Sequence, residues 1–204
     1  MKPRLRVLWG LIFAAAVLAF GPASAAIVDG TVGVIWTGDT SNDASVIPPF
    51  FPTALFSPGP INYNSNVTNY TIGGFLNGAT LSNPGIAGNS MDNTHIEILG
   101  GVSLAHGLNV FTITHDDGAV LSIAGFGTVF SQPGPTSAVT TTFDVFNAGP
   151  AATDLFTLNY NECCGPPAVL ELSVTAPGPV PGAGLPSLVV LVLAGALAWA
   201  RKFA

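Results

Sequence analysis

From Phe111 onward the chain repeatedly alternates large apolar residues with small polar ones. Phe111 and Ile113 alternate with Thr112 and Thr114, and Phe143 and Val145 with Thr142 and Asp144. Phe156, Leu158 and Tyr160 alternate with Thr157 and Asn159, and Leu170, Leu172 and Val174 with Glu171 and Ser173. A period of two sends successive side chains to opposite faces of a strand, so each run presents one apolar and one polar face. Apolar faces of this kind are buried by stacking two sheets about 10 Å apart. Between residues 26 and 175 no window of helical length keeps a 3.6-residue apolar period, and Gly, Asn, Thr, Ser and Pro recur as punctuation. Strands are predicted at 32–36, 69–72, 94–99, 109–114, 119–124, 128–131, 139–146, 155–160 and 168–174. The expected fold is all-β, an antiparallel β-sandwich of jelly-roll-like type. Asp144 and Glu171 are then outward-facing strand residues.

Charge narrows the function. All five basic residues, Lys2, Arg4, Arg6, Arg201 and Lys202, stand at the chain ends, whereas all 11 Asp and Glu lie between them. The body is therefore about −11 at neutral pH with His95, His106 and His115 as its only other titrating groups near neutrality. Such a surface repels phosphate backbones, which excludes nucleic acid as a partner. Cation capture or plain solubility is the natural use of the charge.

The ends carry their own signals. Three basic residues, an apolar run over 7–20 and the tripeptide Ala23-Ser24-Ala25 have the form of a secretory signal peptide over residues 1–25, with cleavage after Ala25. Residues 26–175 then form the exported β-sandwich domain. Residues 176–186 read as a Pro/Gly linker, and residues 187–204 as a C-terminal hydrophobic helix with a basic end, Arg201-Lys202. Its uncharged run of about 14–16 residues covers roughly 21–24 Å, short of the ~30 Å hydrocarbon core but workable as a transmembrane-type anchor in a thin bilayer, and the basic pair suits a cytoplasmic stop. This three-part tail, with Val180, Pro181 and Pro186 in its proline motif, resembles the PEP-CTERM exosortase-sorting signals of Gram-negative bacteria, although it lacks the Pro-Glu-Pro core. The resemblance implies exosortase-type sorting machinery and the membrane as partners. It also implies a destination in the cell envelope, at the cell surface or in an extracellular, exopolysaccharide-rich matrix.

Between 39 and 93 the pattern is irregular. Phe50 and Phe51, set among prolines, either cap an open end of the core or form an exposed aromatic surface, and capping is the commoner outcome. Cys163 and Cys164 are the only cysteines. Being adjacent, they cannot staple distant strands, but export permits a vicinal or an intermolecular disulfide.

The stretch Thr114-His115-Asp116-Asp117-Gly118 lies between two predicted strands. It is expected at a hairpin apex, with Gly118 supplying a positive φ. Two adjacent carboxylates without a base nearby are satisfied by water, by backbone N–H groups or by a hard cation. Calcium takes six to eight oxygen ligands, which this dipeptide, loop carbonyls and an Asn or Glu from another loop are suited to supply. The alternative is an Asx-type turn with one aspartate capping backbone and the other solvated.

The run 109–124, the strand near 141–146 and the segment 156–174 together resemble the second half of the β-sandwich family first seen in the anthrax protective antigen. The shared pattern is an aromatic strand, Asp-Asp-Gly, an aliphatic strand, then Tyr160, Glu162, a glycine turn and a Leu-x-Leu strand. In that family some adhesin members bind sugar through a calcium held by paired aspartates. By resemblance Asp116 and Asp117 match the acidic pair and Gly118 its turn glycine, with Asn161 and Glu162 as secondary calcium candidates. The turn Ala124-Gly125-Phe126-Gly127 departs from the family in lacking an aspartate, and Cys163-Cys164 stand where small residues are frequent.

No nucleophile elbow, histidine metal motif or phosphate loop is present. The reading is a non-catalytic cell-surface or matrix module with calcium-assisted glycan binding and polysaccharide as a partner. The alternative is a structural envelope or matrix component without a specific ligand.

Overall fold

A computed structural model describes residues 28–175, which fall within one compact unit. The signal segment with Ala25, the linker, and the tail bearing Val180, Pro181, Pro186, Arg201 and Lys202 lie outside the described residues. Among the described residues no helix is long and apolar enough to cross a membrane.

The elements are β1 (Val28–Thr37), β2 (Ala54–Phe56), β3 (Gly59–Pro60), β4 (Asn62–Ser65), a short helix α1 (Ile72–Phe75), a 3-10 turn (Pro84–Ile86), β5 (Thr94–Leu104) and β6 (Gly107–Asp116). They continue with β7 (Gly118–Ile123), β8 (Gly127–Gln132), β9 (Val139–Asn147), β10 (Ala152–Glu162) and β11 (Ala168–Thr175). One sheet runs β2-β1-β5-β10-β7-β8, with β3 also on β1; the other runs β4-β11-β6-β9. All the pairings are antiparallel.

The alternation performs as expected. Phe111, Ile113, Val145, Phe156, Leu158, Tyr160, Leu170, Leu172 and Val174 are buried between the sheets, where burial of apolar area drives the layers together. Phe143 of β9 stacks on Phe111 of β6 and on Phe130 of β8, each at 5.4 Å between ring centroids. That aromatic column joins one sheet to the other. At the opposite side α1 inserts Phe75, which stacks on Tyr160 at 5.4 Å.

Three expectations are corrected. Residues 69–72 do not form a strand: Thr71 caps α1, its hydroxyl accepting from Gly74 N at 3.1 Å, and only an isolated bridge to Ser90 remains. Phe50 and Phe51 do not cap the core, since Phe51 is 93% exposed. Asp116-Asp117-Gly118 is not a hairpin apex. Asp116 ends β6 in the smaller sheet, where it faces Val169. Gly118 begins β7 in the larger, where it faces Asn161. Asp117 is thus the single residue by which the chain crosses between layers. The steps from β5 to β6, β8 to β9, β9 to β10 and β10 to β11 change sheet as well, as in jelly-roll windings. The hairpin in this region joins β7 to β8, turning at Gly125 and Gly127, both with positive φ.

Candidate functional site

The crossing at Asp117 is fixed from behind. His115 is fully buried; its Nδ1 lies 2.5 Å from the Asp117 carbonyl oxygen and its Nε2 lies 2.8 Å from Gln132 Oε1. Gly118 is required here for a reason other than its φ, which is not positive. A Cβ at this position would sit 2.0 Å from the Pro133 carbonyl oxygen, so only glycine lets residues 133–138 close over the start of β7. The Asp116–Asp117 peptide bond is cis.

The 133–138 loop, the loop between β10 and β11 and the crossing bound an open hollow of ≈ 550 Å³. Asp116 and Asp117 meet Pro135, Thr136, Ser137 and Ala138 on one side and Cys164, Gly165, Pro166 and Pro167 on the other. Asp117 accepts hydrogen bonds from Thr136 N at 3.2 Å through Oδ1 and from Cys163 N at 3.0 Å through Oδ2. Asp116 accepts from the Ala138 backbone N–H. Burial and then the adjacent Asp117 carboxylate push Asp116 up to about 6, against the pull of that N–H and of His115. Repulsion between the two acids is therefore only partly offset by main-chain donors.

Asn161 and Glu162 do not line this hollow. Asn161 Nδ2 donates to Asp39 Oδ2 at 2.7 Å, linking β10 to the loop after β1. Glu162 is fully buried, its Oε1 accepting from the Tyr70 hydroxyl at 2.7 Å and its Oε2 facing the Tyr160 hydroxyl. The Tyr160 hydroxyl is also within reach of the Asp116 carbonyl oxygen. Burial first, and then Asp117 and Asp116, push Glu162 up to about 8, although the tyrosine hydroxyls act to lower it. Its carboxyl is thus mostly protonated at neutral pH. Asp116 and Glu162 do not flank a common groove as a glycosidase pair must.

Cys163 and Cys164 form a vicinal disulfide. Their sulfurs and an Asp117 oxygen cluster within 4.8 Å of one another, but bonded sulfurs offer no thiolate for a metal. Cys163 Sγ, which carries no hydrogen, rests 3.0 Å from Asp117 Oδ2.

A second acidic turn escaped the sequence reading. Asp39 Oδ1 accepts from Ser41 N at 2.9 Å, and Oδ2 accepts from Ser41 Oγ at 3.0 Å as well as from Asn161. Asp43 Oδ1 accepts from Ser45 N at 2.8 Å and from Ser45 Oγ at 2.6 Å, and these bonds hold its carboxyl below the usual range. The spacing Asp39-x-Ser41-x-Asp43-x-Ser45 is the local signal for such Asx turns. Tyr70 and the 133–138 wall had no such signal.

No family model matches the chain, and no curated protein sequence matches it. Solved structures do. The PA14 domain of the antifreeze protein MpAFP aligns with a TM-score of 0.58 at 22% identity, covering 74% of this chain and 84% of that one. A PA14 sugar-binding domain from an RTX adhesin aligns with a TM-score of 0.52 at 22% identity, covering 72% of this chain and 89% of that one. The GH31 α-xylosidase of Xanthomonas citri aligns with a TM-score of 0.51 at 12% identity; 80% of this chain corresponds to 16% of the enzyme. The chain is similar to these in fold, a two-sheet antiparallel β-sandwich.

Proposed function

We propose that this chain is a non-catalytic, extracellular carbohydrate-binding module in which Asp116 and Asp117 hold a calcium ion at the glycan site. The observation that carries the reading is the pair of adjacent carboxylates facing one open hollow, with no lysine or arginine among the described residues. The lining suits a hard cation: carboxylate oxygens of Asp116 and Asp117, the hydroxyl-bearing Thr136 and Ser137, and room for water. The upward push on Asp116, from burial first and then from Asp117, has the same sense, because a cation between the acids favours the charged form that both disfavour. Calcium, when bound, supplies charge neutralisation and open positions for hydroxyl oxygens. The chain's part is to orient: Thr136 N and Cys163 N fix the Asp117 oxygens, and Ala138 N steadies Asp116. Asn161 and Glu162 belong behind the site, tying β10 to Asp39 and to Tyr70. The fold shared with a sugar-binding adhesin domain supports the ligand class. Export through residues 1–25 and surface sorting by the tail at 176–204 complete the proposal and place the module where polysaccharide is its partner.

Calorimetric titration of calcium into chelator-treated protein tests this. Submillimolar binding is expected in the native chain and loss of it in Asp116→Asn and in Asp117→Asn. No heat and no rise in melting temperature at millimolar calcium favours the structural-component reading instead, because a ligand selective for the folded state must raise its apparent stability. A glycan array with and without calcium then identifies the sugar.

A further inference from the structure

A disulfide stabilises a fold chiefly by closing a loop and restricting the unfolded chain. One between neighbouring residues closes no loop, so Cys163–Cys164 contributes almost nothing of that kind. Its surroundings suggest a local task. Cys163 N–H donates to Asp117 Oδ2 at 3.0 Å, and Cys163 Sγ rests on the same oxygen at 3.0 Å. The other oxygen, Oδ1, is held from the opposite wall by Thr136 N. The Asp117 carboxylate is thus clamped between two loops, and the disulfide fixes the backbone that supplies one jaw. Cys164 is exposed and lines the hollow, within reach of a dissolved thiol. The chain has no third cysteine with which the pair can exchange.

We propose that the Cys163–Cys164 disulfide is a positioning element for Asp117, so that ion binding in the hollow depends on its redox state. This rests on the calcium reading above. A low-molecular-weight dithiol opens the bond by two exchanges: the protein S–S bond breaks, the reagent closes to its own disulfide, and its two thiol protons end on Cys163 and Cys164. With the bond open, the 163–167 segment regains backbone freedom, and Asp117 loses the fixed donor at Oδ2.

The test compares the oxidised chain with the chain reduced by dithiothreitol, two free thiols per molecule being verified with a thiol-reactive dye. Reduction is expected to weaken calcium binding about tenfold, the usual effect of removing a support behind a metal ligand. The melting temperature in chelator is expected to move by less than about 2 °C, no more than the shift of about 2–4 °C that 1 kcal/mol produces in a domain of this size. Reoxidation should restore affinity, and Cys163→Ser/Cys164→Ser should match the reduced form. Equal calcium affinity in both forms overturns the inference. So does a loss of affinity accompanied by a comparable loss of stability, which marks a merely structural bond. The amide proton signals of Thr136 and Cys163 give a readout that needs no ion: both should lose protection from exchange on reduction. If the oxidised chain binds no calcium, the ion reading fails by itself, and unchanged amide signals then overturn the positioning role too.

Discussion

Two acidic turns in the same domain, neither with a lysine or arginine to lean on, reach opposite solutions. Around Asp39 and Asp43 each carboxylate is surrounded by short bonds from serine N–H and hydroxyl groups, and Asp39 takes a further bond from Asn161. Around Asp116 and Asp117 the donors are sparse main-chain N–H groups, and the two acids stand against each other. The pKa shifts run in opposite directions: Asp43 is lowered by its serine bonds, whereas burial first and then the Asp117 carboxylate raise Asp116 to about 6. Residue type does not separate a structural acid from a candidate ligand. Burial and a neighbouring carboxylate, weighed against the fixed donors, do so at Asp116.

The largest expected effect concerns pH, and it sharpens the contrast by adding Glu162, whose burial outweighs its two tyrosine partners. Glu162 is raised from 4.5 to about 8 and Asp116 from 3.8 to about 6. Between the lower and upper values of each, the folded protein keeps a proton that the unfolded chain has released. Stability is therefore greatest in mild acid, falls as pH rises, and levels off above about pH 8. Chemical denaturation of calcium-free protein at pH 5 and pH 8 should differ on the order of 4 kcal/mol, and Glu162→Gln should remove most of the difference. Equal stability at the two pH values would break the assignment.

Next in size is Asp39→Ala, which strands the Ser41 N–H and the buried Asn161 amide. A loss of about 2–3 kcal/mol is expected in the same assay. The opposite sign is expected for Asp116→Asn at pH 8 without calcium. The amide still accepts from Ala138 while the repulsion is gone, for a gain of about 1–2 kcal/mol that vanishes near pH 4. If both substitutions destabilise alike, the two turns do not differ in the way described.

The strands of the second half were legible because each apolar set faces a single core, so a period of two survived in β6, β9, β10 and β11. Their partners were not legible. Alternation runs the same way whether the chain turns back within a sheet or passes to the other, and so the step at Asp117 read as a hairpin. Gly118 was singled out as a turn glycine, but it opens strand β7 without a positive φ, and the cause of its being glycine, contact with the Pro133 carbonyl, lies 15 residues away along the chain. Tyr70 meets Glu162 across a separation of 92 residues, a contact that no local pattern encodes. The acidic pair itself was visible, because charge without countercharge is a property of composition and needs no coordinates.

The passage of the chain from one layer to the other at Asp117 has a mechanical consequence. The β6 end of the crossing is hydrogen-bonded into the smaller sheet and the β7 end into the larger, so a body gripped by Asp116 and Asp117 is anchored to both halves at once. Tension applied through a captive chain would load the two sheets together instead of peeling one strand from an edge, a favourable way for a tether to be pulled.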